Sequence, residues 1–195
     1  MIEEDLKVDT SGINNVVKEN TALMKGLDTL VSILDTPAKL QGSTENVSRL
    51  YIFNGYTTSV ATMEFSTRTL SQLKNAGNMR LIRDVKVSDS IMNYDQYIQM
   101  IGAEQKAYID LSLDALKAAF QIFDSRLLRA KGIHSRHDFM ARPNKLLTSD
   151  TLKLIQYDNM VETNRAVISA YVEMLDEQKL RAVNLIAFLK REYDL

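Results

Sequence analysis

The chain has 195 residues, no cysteine, two prolines and a formal net charge of −1. This length suffices for one domain that folds without disulfides, and the lack of cysteine excludes thiol catalysis. The balanced charge argues against a nucleic-acid polyelectrolyte, and no run approaches the ~20 apolar residues of a membrane span.

The first predicted element is a helix over residues 3–34. An alternative is a break at Asp9-Thr10-Ser11-Gly12, followed by a new N-cap. The predicted buried stripe alternates steps of three and four: Ile2, Leu6, Asp9, Ile13, Val16, Asn20, Leu23, Leu27, Leu30 and Leu34. Because this stripe is in phase at residue 2, it predicts either a helix continuing from a preceding segment or a protein that begins in a helix.

Residues 44–76 carry conflicting signals. A 3-4 spacing joins Phe53, Tyr56, Val60, Met63, Thr67 and Leu70, yet eight of residues 57–71 are Ser or Thr. Ser and Thr lower helix propensity and can bend a helix. We predict a helix, with a break near Gly55 as the alternative, because a strand here would find no partner strand. Gly77 is expected to end this helix, and an apolar turn is expected at 79–83.

A third helix is predicted over residues 85–128, capped by Asp84. Its stripe begins with Val87, Ile91, Tyr94, Ile98 and Ile101. It then moves in steps of four through 105, 109 and 113, and ends with Leu116, Phe120, Phe123 and Leu127. The run of fours predicts a stutter, which locally relaxes a left-handed supercoil.

The last helix is predicted to start near Thr148 or Ser149, after an aperiodic stretch at 129–147. Its stripe is the longest of all: Leu154, Tyr157, Val161, Asn164, Ile168, Tyr171, Leu175, Gln178, Ala182, Leu185 and Leu189. Long helices with short connections indicate an all-α, antiparallel up-down four-helix bundle with coiled-coil-like 3-4 seams. We expect residues 1–195 to form a single domain.

Basic residues concentrate in one part of the chain. Residues 126–147 contain a single acidic residue, Asp138, whereas several residues there are basic, the first being Arg126. Arginine forks pair with phosphate or carboxylate, so this stretch predicts binding of a small anionic ligand or a protein partner. The candidate residues are Arg129, Lys131, His134, Arg136, His137, Arg142 and Lys145. The alternative is a solvated loop balanced by Asp124 or Asp150. The expected contact surface combines residues 35–46 and 126–147.

The candidates for metal and catalytic chemistry are few. The cluster His134-Ser-Arg-His137-Asp138 has ligands that suit Zn²⁺, but two neighbouring arginines oppose a cation. A di-iron bundle would need Glu-x-x-His motifs, and neither histidine has Glu three residues before it. We therefore predict no metal, no cofactor, no catalytic residue and no enzymatic activity.

Four polar residues occupy stripe positions where apolar ones would be more stabilising: Asn20, Gln105, Asn164 and Gln178. A buried Asn often fixes the register of a helical seam at some cost in stability. The alternative is that these side chains line an internal polar cavity. Under the register hypothesis Asn164→Leu would raise the melting temperature, whereas a lower one would indicate an essential polar network.

Two segments resemble a family of membrane-anchored helical proteins of Bacteroidota to which no activity is assigned. One runs Leu73-Lys-Asn-Ala-Gly77-Asn-Met-Arg-Leu81-Ile82-Arg-Asp84, followed by Ile91 and Tyr94. The other extends from Asn164 to Leu189. The chain departs from the family pattern at Tyr97 and in its basic 129–147 stretch. The resemblance implies a membrane span before this chain, with the bundle at the periplasmic face of the inner membrane.

Together these features predict a non-catalytic interaction or ligand-sensing helical module, the extracytoplasmic part of a single-span bacterial protein. The alternative is a soluble cytosolic scaffold or adaptor that offers a helical face to a protein partner. No nucleic-acid partner is expected, and oligomers could form through the helix faces. A preceding span would be the only contact with the membrane.

Overall fold

A computed structural model describes residues 2–36, 40, 43–75, 79, 82, 84–127 and 135–193, apart from the side chains of Asn75 and Arg136. Within these ranges no strand occurs, which confirms the all-α class. The described residues form α1 (Ile2–Leu34), α2 (Thr44–Asn54), α3 (Arg68–Asn75), α4 (Val85–Ala119), α5 (Arg136–Met140) and α6 (Thr151–Tyr193), with a 3-10 helix at Gly55–Thr57. None of these helices is long and apolar enough to cross a membrane.

Helices α1 and α6 follow their predicted stripes closely. Helix α1 is continuous through Asp9 and Gly12, so the alternative of a break there is wrong. All eleven predicted stripe positions of α6 are buried, including the polar Asn164 and Gln178. Helix α6 begins at Thr151, a few residues later than predicted.

Helix α4 is capped as predicted, since Asp84 Oδ1 accepts from the Lys86 and Val87 amides at 2.7 and 3.4 Å. It ends at Ala119 rather than 128. The predicted stutter is also wrong: Leu113 and Phe120 are exposed. The buried positions continue in regular 3-4 steps through polar and small residues, namely Tyr108, Ser112, Ala115 and Ala119.

The predicted single helix over 44–76 is wrong, although the alternative break near Gly55 is found. Helix α2 ends at Asn54, and residues 58–67, here called the irregular segment, form neither helix nor strand. Gly77 and most of 79–83 lie outside the described residues. The aperiodic stretch predicted at 129–147 contains the short helix α5.

Side chains from the long helices bond the backbone around the irregular segment. Tyr171 Oη accepts from the Met63 amide at 2.8 Å, and Asp9 Oδ1 accepts from the Ser66 amide at 2.8 Å. Asn20 Nδ2 donates to the Ala61 carbonyl at 2.9 Å. Buried backbone groups need partners, and these side chains supply what a helix would otherwise supply internally. The chain therefore needs neither a helix nor a partner strand here.

The chain divides into two compact units. Unit 1 consists of Met1–Asn20, Ala61–Lys106 and Ala170–Leu195. Its core holds Leu6, Leu70, Val87, Ile91, Tyr94, Ile98, Ala182, Leu185 and Leu189. At its periphery Lys190 Nζ lies 3.3 Å from Glu3 Oε1, which brings the end of α6 beside the start of α1.

Unit 2 consists of Thr21–Val60 and Ala107–Ser169. An aromatic cluster lies within it, where Phe123 contacts Tyr51 and Tyr157 edge to face, with ring centroids 5.1 and 5.6 Å apart. Hydrogen bonds and an ion pair also join parts of this unit. Asn164 Nδ2 donates to the Thr57 carbonyl at 3.3 Å, and Arg165 pairs with Asp28.

Asp9 is a buried carboxylate within unit 1, so we expect it to make the stability of the protein depend on pH. Burial raises the pKa of Asp9 above its ordinary 3.8, the bonds from Ser66 and Tyr94 oppose this rise, and the charge of Asp5 adds to it. A raised pKa means that folding favours the protonated acid. The stability contribution of Asp9 therefore grows as the pH falls through its folded pKa and is lost as the pH rises.

We expect Asp9→Asn to remove this contribution while retaining an oxygen that can accept from the Ser66 amide. On acidification from pH 7 toward the ordinary Asp pKa of 3.8, the wild type should then gain stability, or lose less of it, relative to Asp9→Asn. Thermal melts across this range would measure the difference. The exposed Asp89→Asn controls for the loss of one charge, and identical pH profiles for all three proteins would contradict the assignment.

Candidate functional site

The predicted basic site is only partly within the described residues. Arg129, Lys131 and His134 lie outside them, as does the side chain of Arg136. His137 is exposed on α5, Arg142 is half-buried, and Lys145 is exposed. In the described ranges no group of three or more His, Cys, Asp or Glu residues is placed to hold a metal ion.

Arg126 is already paired. Its Nε and Nη2 atoms lie 2.8 and 2.7 Å from Asp124 Oδ1 and Oδ2, an arrangement that satisfies both carboxylate oxygens. The pair lowers the pKa of Asp124, mainly through the side-chain bonds from Arg126. This arginine is therefore engaged internally, as the alternative of a locally balanced loop predicts for Arg126 and Asp124.

A cavity of about 450 Å³ lies in unit 2, where the start of α2 and the chain leading into α6 come together. This volume falls in the usual range of small-molecule sites. We call it the α2/α6 cavity. Its lining residues are Leu40, Ser43, Thr44, Val47, Pro143, Asn144, Lys145, Leu146, Leu147, Thr148, Ser149, Thr151 and Leu154. Both predicted contact segments, 35–46 and 126–147, contribute to this lining, and Lys145 is the only predicted site residue in it among those that the structure describes.

Two helix starts border the α2/α6 cavity. Ser43 caps α2, where its Oγ accepts from the Asn46 amide at 3.2 Å. At the start of α6, Thr148 Oγ1 accepts from the Asp150 amide at 3.1 Å, and Asp150 Oδ1 accepts from the Leu152 amide at 2.9 Å. These bonds fix the hydroxyl-bearing residues at the edge of the cavity.

Tyr51 fixes the wall that carries Lys145. Its hydroxyl donates to the Lys145 carbonyl at 2.8 Å and accepts from the Asp124 amide at 2.8 Å. Its ring packs edge to face against Phe123 and Phe139. Burial raises the pKa of the Tyr51 hydroxyl. The tyrosine thereby holds the backbone at residue 145 through one buried group.

Asn144 fixes the same wall from the other side. Its side chain is buried, and Nδ2 donates to Ser48 Oγ and to the Phe139 carbonyl, each at 2.8 Å. The Leu147 amide donates to the Ile122 carbonyl at 2.8 Å. Although residues 143–147 form no helix or strand, several hydrogen bonds hold this segment in place. The cavity wall is preformed rather than built by a ligand.

The lining combines apolar side chains with hydroxyls and one charge. Leu40, Val47 and Leu154 are buried and supply an apolar surface. Lys145 is the only charged residue of the described lining, and none of its neighbours in the lining is a histidine or an acid. Such a set can enclose the apolar part of a ligand and hold a polar group on it.

A second cavity of about 420 Å³ lies elsewhere in unit 2, along α4 and α6. It is lined by Ala118, Gln121, Ile122, Lys153, Gln156, Tyr157, Asn159 and Met160. The hydroxyl of Tyr157 bonds the Asn54 side chain. Of the predicted site residues whose side chains are described, His137, Arg142 and Lys145, none lines this cavity.

The two predicted contact segments contain eight of the thirteen lining residues of the α2/α6 cavity, but sequence reasoning singled out only Lys145 among them. Two signals pointed toward the cavity: Ser43-Thr44 and Thr148-Ser149-Asp150 have the composition of helix N-caps. That the two caps converge on one cavity required knowledge of how α2 and α6 pack. Comparison with protein-family models, curated proteins and solved structures finds no match to this chain.

Proposed function

We propose that this protein is a non-catalytic, ligand-binding helical module that takes up a small molecule in the α2/α6 cavity. The observation that carries the proposal is the cavity itself. It is large enough for a small molecule, is lined by buried apolar side chains, and has walls fixed by Tyr51 and Asn144. A preformed site loses little entropy when a ligand binds.

The frame we propose for this module is an antiparallel up-down bundle in which residues 44–75 take the place of one helix. In unit 1, Glu3 near the start of α1 pairs with Lys190 near the end of α6, and Met63 lies beside Gly12 of α1 while its amide bonds Tyr171 of α6. These contacts support opposite directions for α1 and α6. In unit 2, Ser112 of α4 bonds Asn164 of α6, and Phe123, just beyond the end of α4, contacts Tyr157 of α6, which supports opposite directions for α4 and α6.

Binding of the uncharged dye Nile red tests the proposal. We expect saturable binding, followed by fluorescence, that Thr151→Trp weakens about tenfold or more, because the indole would occupy the cavity. Thr151 is exposed at the first residue of α6, so this change spares the core. Leu152→Trp, at an exposed neighbour outside the lining, should leave binding unchanged.

The contrary results are equally specific. Absence of saturable binding, or full binding by Thr151→Trp, would contradict a ligand site in this cavity. Binding that Met160→Trp abolishes and Thr151→Trp spares would assign the dye to the second cavity instead. Circular dichroism melts of each variant establish that the fold is retained.

The extracytoplasmic, membrane-tethered placement and its alternative, a cytosolic adaptor, both stay predictions. Fractionation of native cells distinguishes them. An intact mass above 22.1 kDa in the membrane fraction, with protease access from outside the inner membrane, would support tethering. Recovery of a 22.1 kDa protein from the cytosol would support the adaptor.

A further inference from the structure

We propose that the ligand of the α2/α6 cavity is a medium-length aliphatic monocarboxylate, whose chain packs on the apolar lining and whose carboxylate is held by Lys145. This inference rests on the proposed function, because it specifies the ligand of the same cavity. It depends on three features of the lining: its charge, its hydrogen-bonding polarity and its apolar surface.

The described lining carries a positive charge and no negative one. Lys145 has no carboxylate partner among the described residues, and the described lining contains no Asp or Glu. The carboxylate of Asp150, next to the lining, accepts from the Leu152 amide instead. A lysine in the lining of an apolar cavity, with no counter-ion among the described residues, favours an anionic ligand.

Two of the five hydroxyl side chains in the described lining are arranged as donors. Ser43 Oγ and Thr148 Oγ1 each already accept a backbone amide, from Asn46 and Asp150 respectively. A hydroxyl that accepts in this way keeps its O–H proton to donate. Two such donors and one ammonium group complement a carboxylate, which only accepts hydrogen bonds.

The apolar side chains of the lining indicate the chemical nature of the ligand beyond its carboxylate. Leu40, Val47 and Leu154 are each less than a tenth exposed. These three side chains give the cavity an aliphatic wall. No aromatic side chain belongs to the described lining. An aliphatic chain gains from burial in proportion to the apolar area removed from water, and it needs no polar partners along its length.

The test compares octanoate with octanol by isothermal titration calorimetry, since the two share a chain and differ in the head group. We expect octanoate to bind about tenfold more tightly than octanol at neutral pH. Lys145→Gln should remove this preference by weakening octanoate about tenfold while leaving octanol unchanged. Lys145→Arg should retain the preference, and added salt should reduce it.

Lys25→Gln is the matched control, because Lys25 is an exposed lysine of the same unit that belongs to the described lining of neither cavity. Equal weakening of octanoate by Lys145→Gln and Lys25→Gln would show general electrostatics and overturn the inference. Octanol binding as tightly as octanoate, or no binding of either, would also overturn it. In each of these cases saturable Nile red binding that is sensitive to Thr151→Trp would leave the proposed function standing.

Discussion

We expect Asn164→Leu to lower the free energy of unfolding by about 2 kcal/mol and the melting temperature by about 4–8 °C. Asn164 is fully buried; its Nδ2 donates to the Thr57 carbonyl, and its Oδ1 accepts from Ser112 Oγ at 3.4 Å. Leucine would leave both groups without these bonds in a site from which water is excluded. The cost of stranding them exceeds what an added apolar contact supplies.

This outcome is the opposite of what a register-fixing asparagine would give. In a coiled-coil seam, replacing such a residue by leucine raises stability while register or partner number is lost. Here the asparagine bonds the chain at residue 57, where the 3-10 helix ends. Its role is to satisfy a backbone group that a continuous helix would have satisfied itself.

Thermal and urea denaturation would measure the effect. Asn159→Leu is the matched control, at an exposed position of the same helix, and should change stability by less than about 0.5 kcal/mol. Adding Ser112→Ala to Asn164→Leu should recover part of the loss, because it removes one stranded hydroxyl. A melting temperature above that of the wild type would restore the register hypothesis.

The sequence predicted the helices wherever the seam was apolar or interrupted by single polar residues. Helix α6 shows this best, because periodic positions alone decided which of its side chains are buried. In α4 the same rule failed after Ile101. The true seam continues through Tyr108 and Ser112, while the more hydrophobic Leu113 lies exposed, so hydrophobicity pointed to the wrong face.

The irregular segment could not be predicted from its own residues. Its 3-4 spacing is compatible with a helix, and its Ser and Thr content only weakens that prediction. What decides against the helix lies far away in the chain, in Asp9, Asn20 and Tyr171, which bond its backbone. The polar seam positions were recognised, but their bonding partners depend on tertiary packing.

The candidate site shows the same limit. The excess of basic residues directed attention to 126–147, and Lys145 of that stretch does line the α2/α6 cavity. Arg126 is engaged with Asp124, which net charge alone does not reveal. The cavity depends on hydroxyls and leucines at two helix starts, residue types too common to signal a site before their convergence is known.

Gly26→Ala is expected to destabilise the protein by about 1–2 kcal/mol, although alanine is the better helix former. Gly26 is buried within α1, and a Cβ atom there would collide with the ring of Tyr56. That ring also stacks on Phe53, with centroids 5.8 Å apart. The 3-10 turn at Gly55–Thr57 therefore packs directly on the α1 backbone, and only glycine leaves room for it.

Gly102→Ala gives the control, because it makes the same change within α4 where the added Cβ meets no described atom within 4 Å beyond the adjoining residues and backbone of its own helix. It should stabilise the protein by about 0.5–1 kcal/mol, the helix-propensity difference alone. Gly12→Ala should fall between the two, since its Cβ would meet only the flexible end of Met63, with Cε at 2.8 Å. Thermal melts of all three variants would rank them, and stabilisation by Gly26→Ala would contradict the close packing of Tyr56 on α1. The opposite signs expected at Gly26 and Gly102 separate tertiary packing from local propensity, because the substitution is identical in both helices.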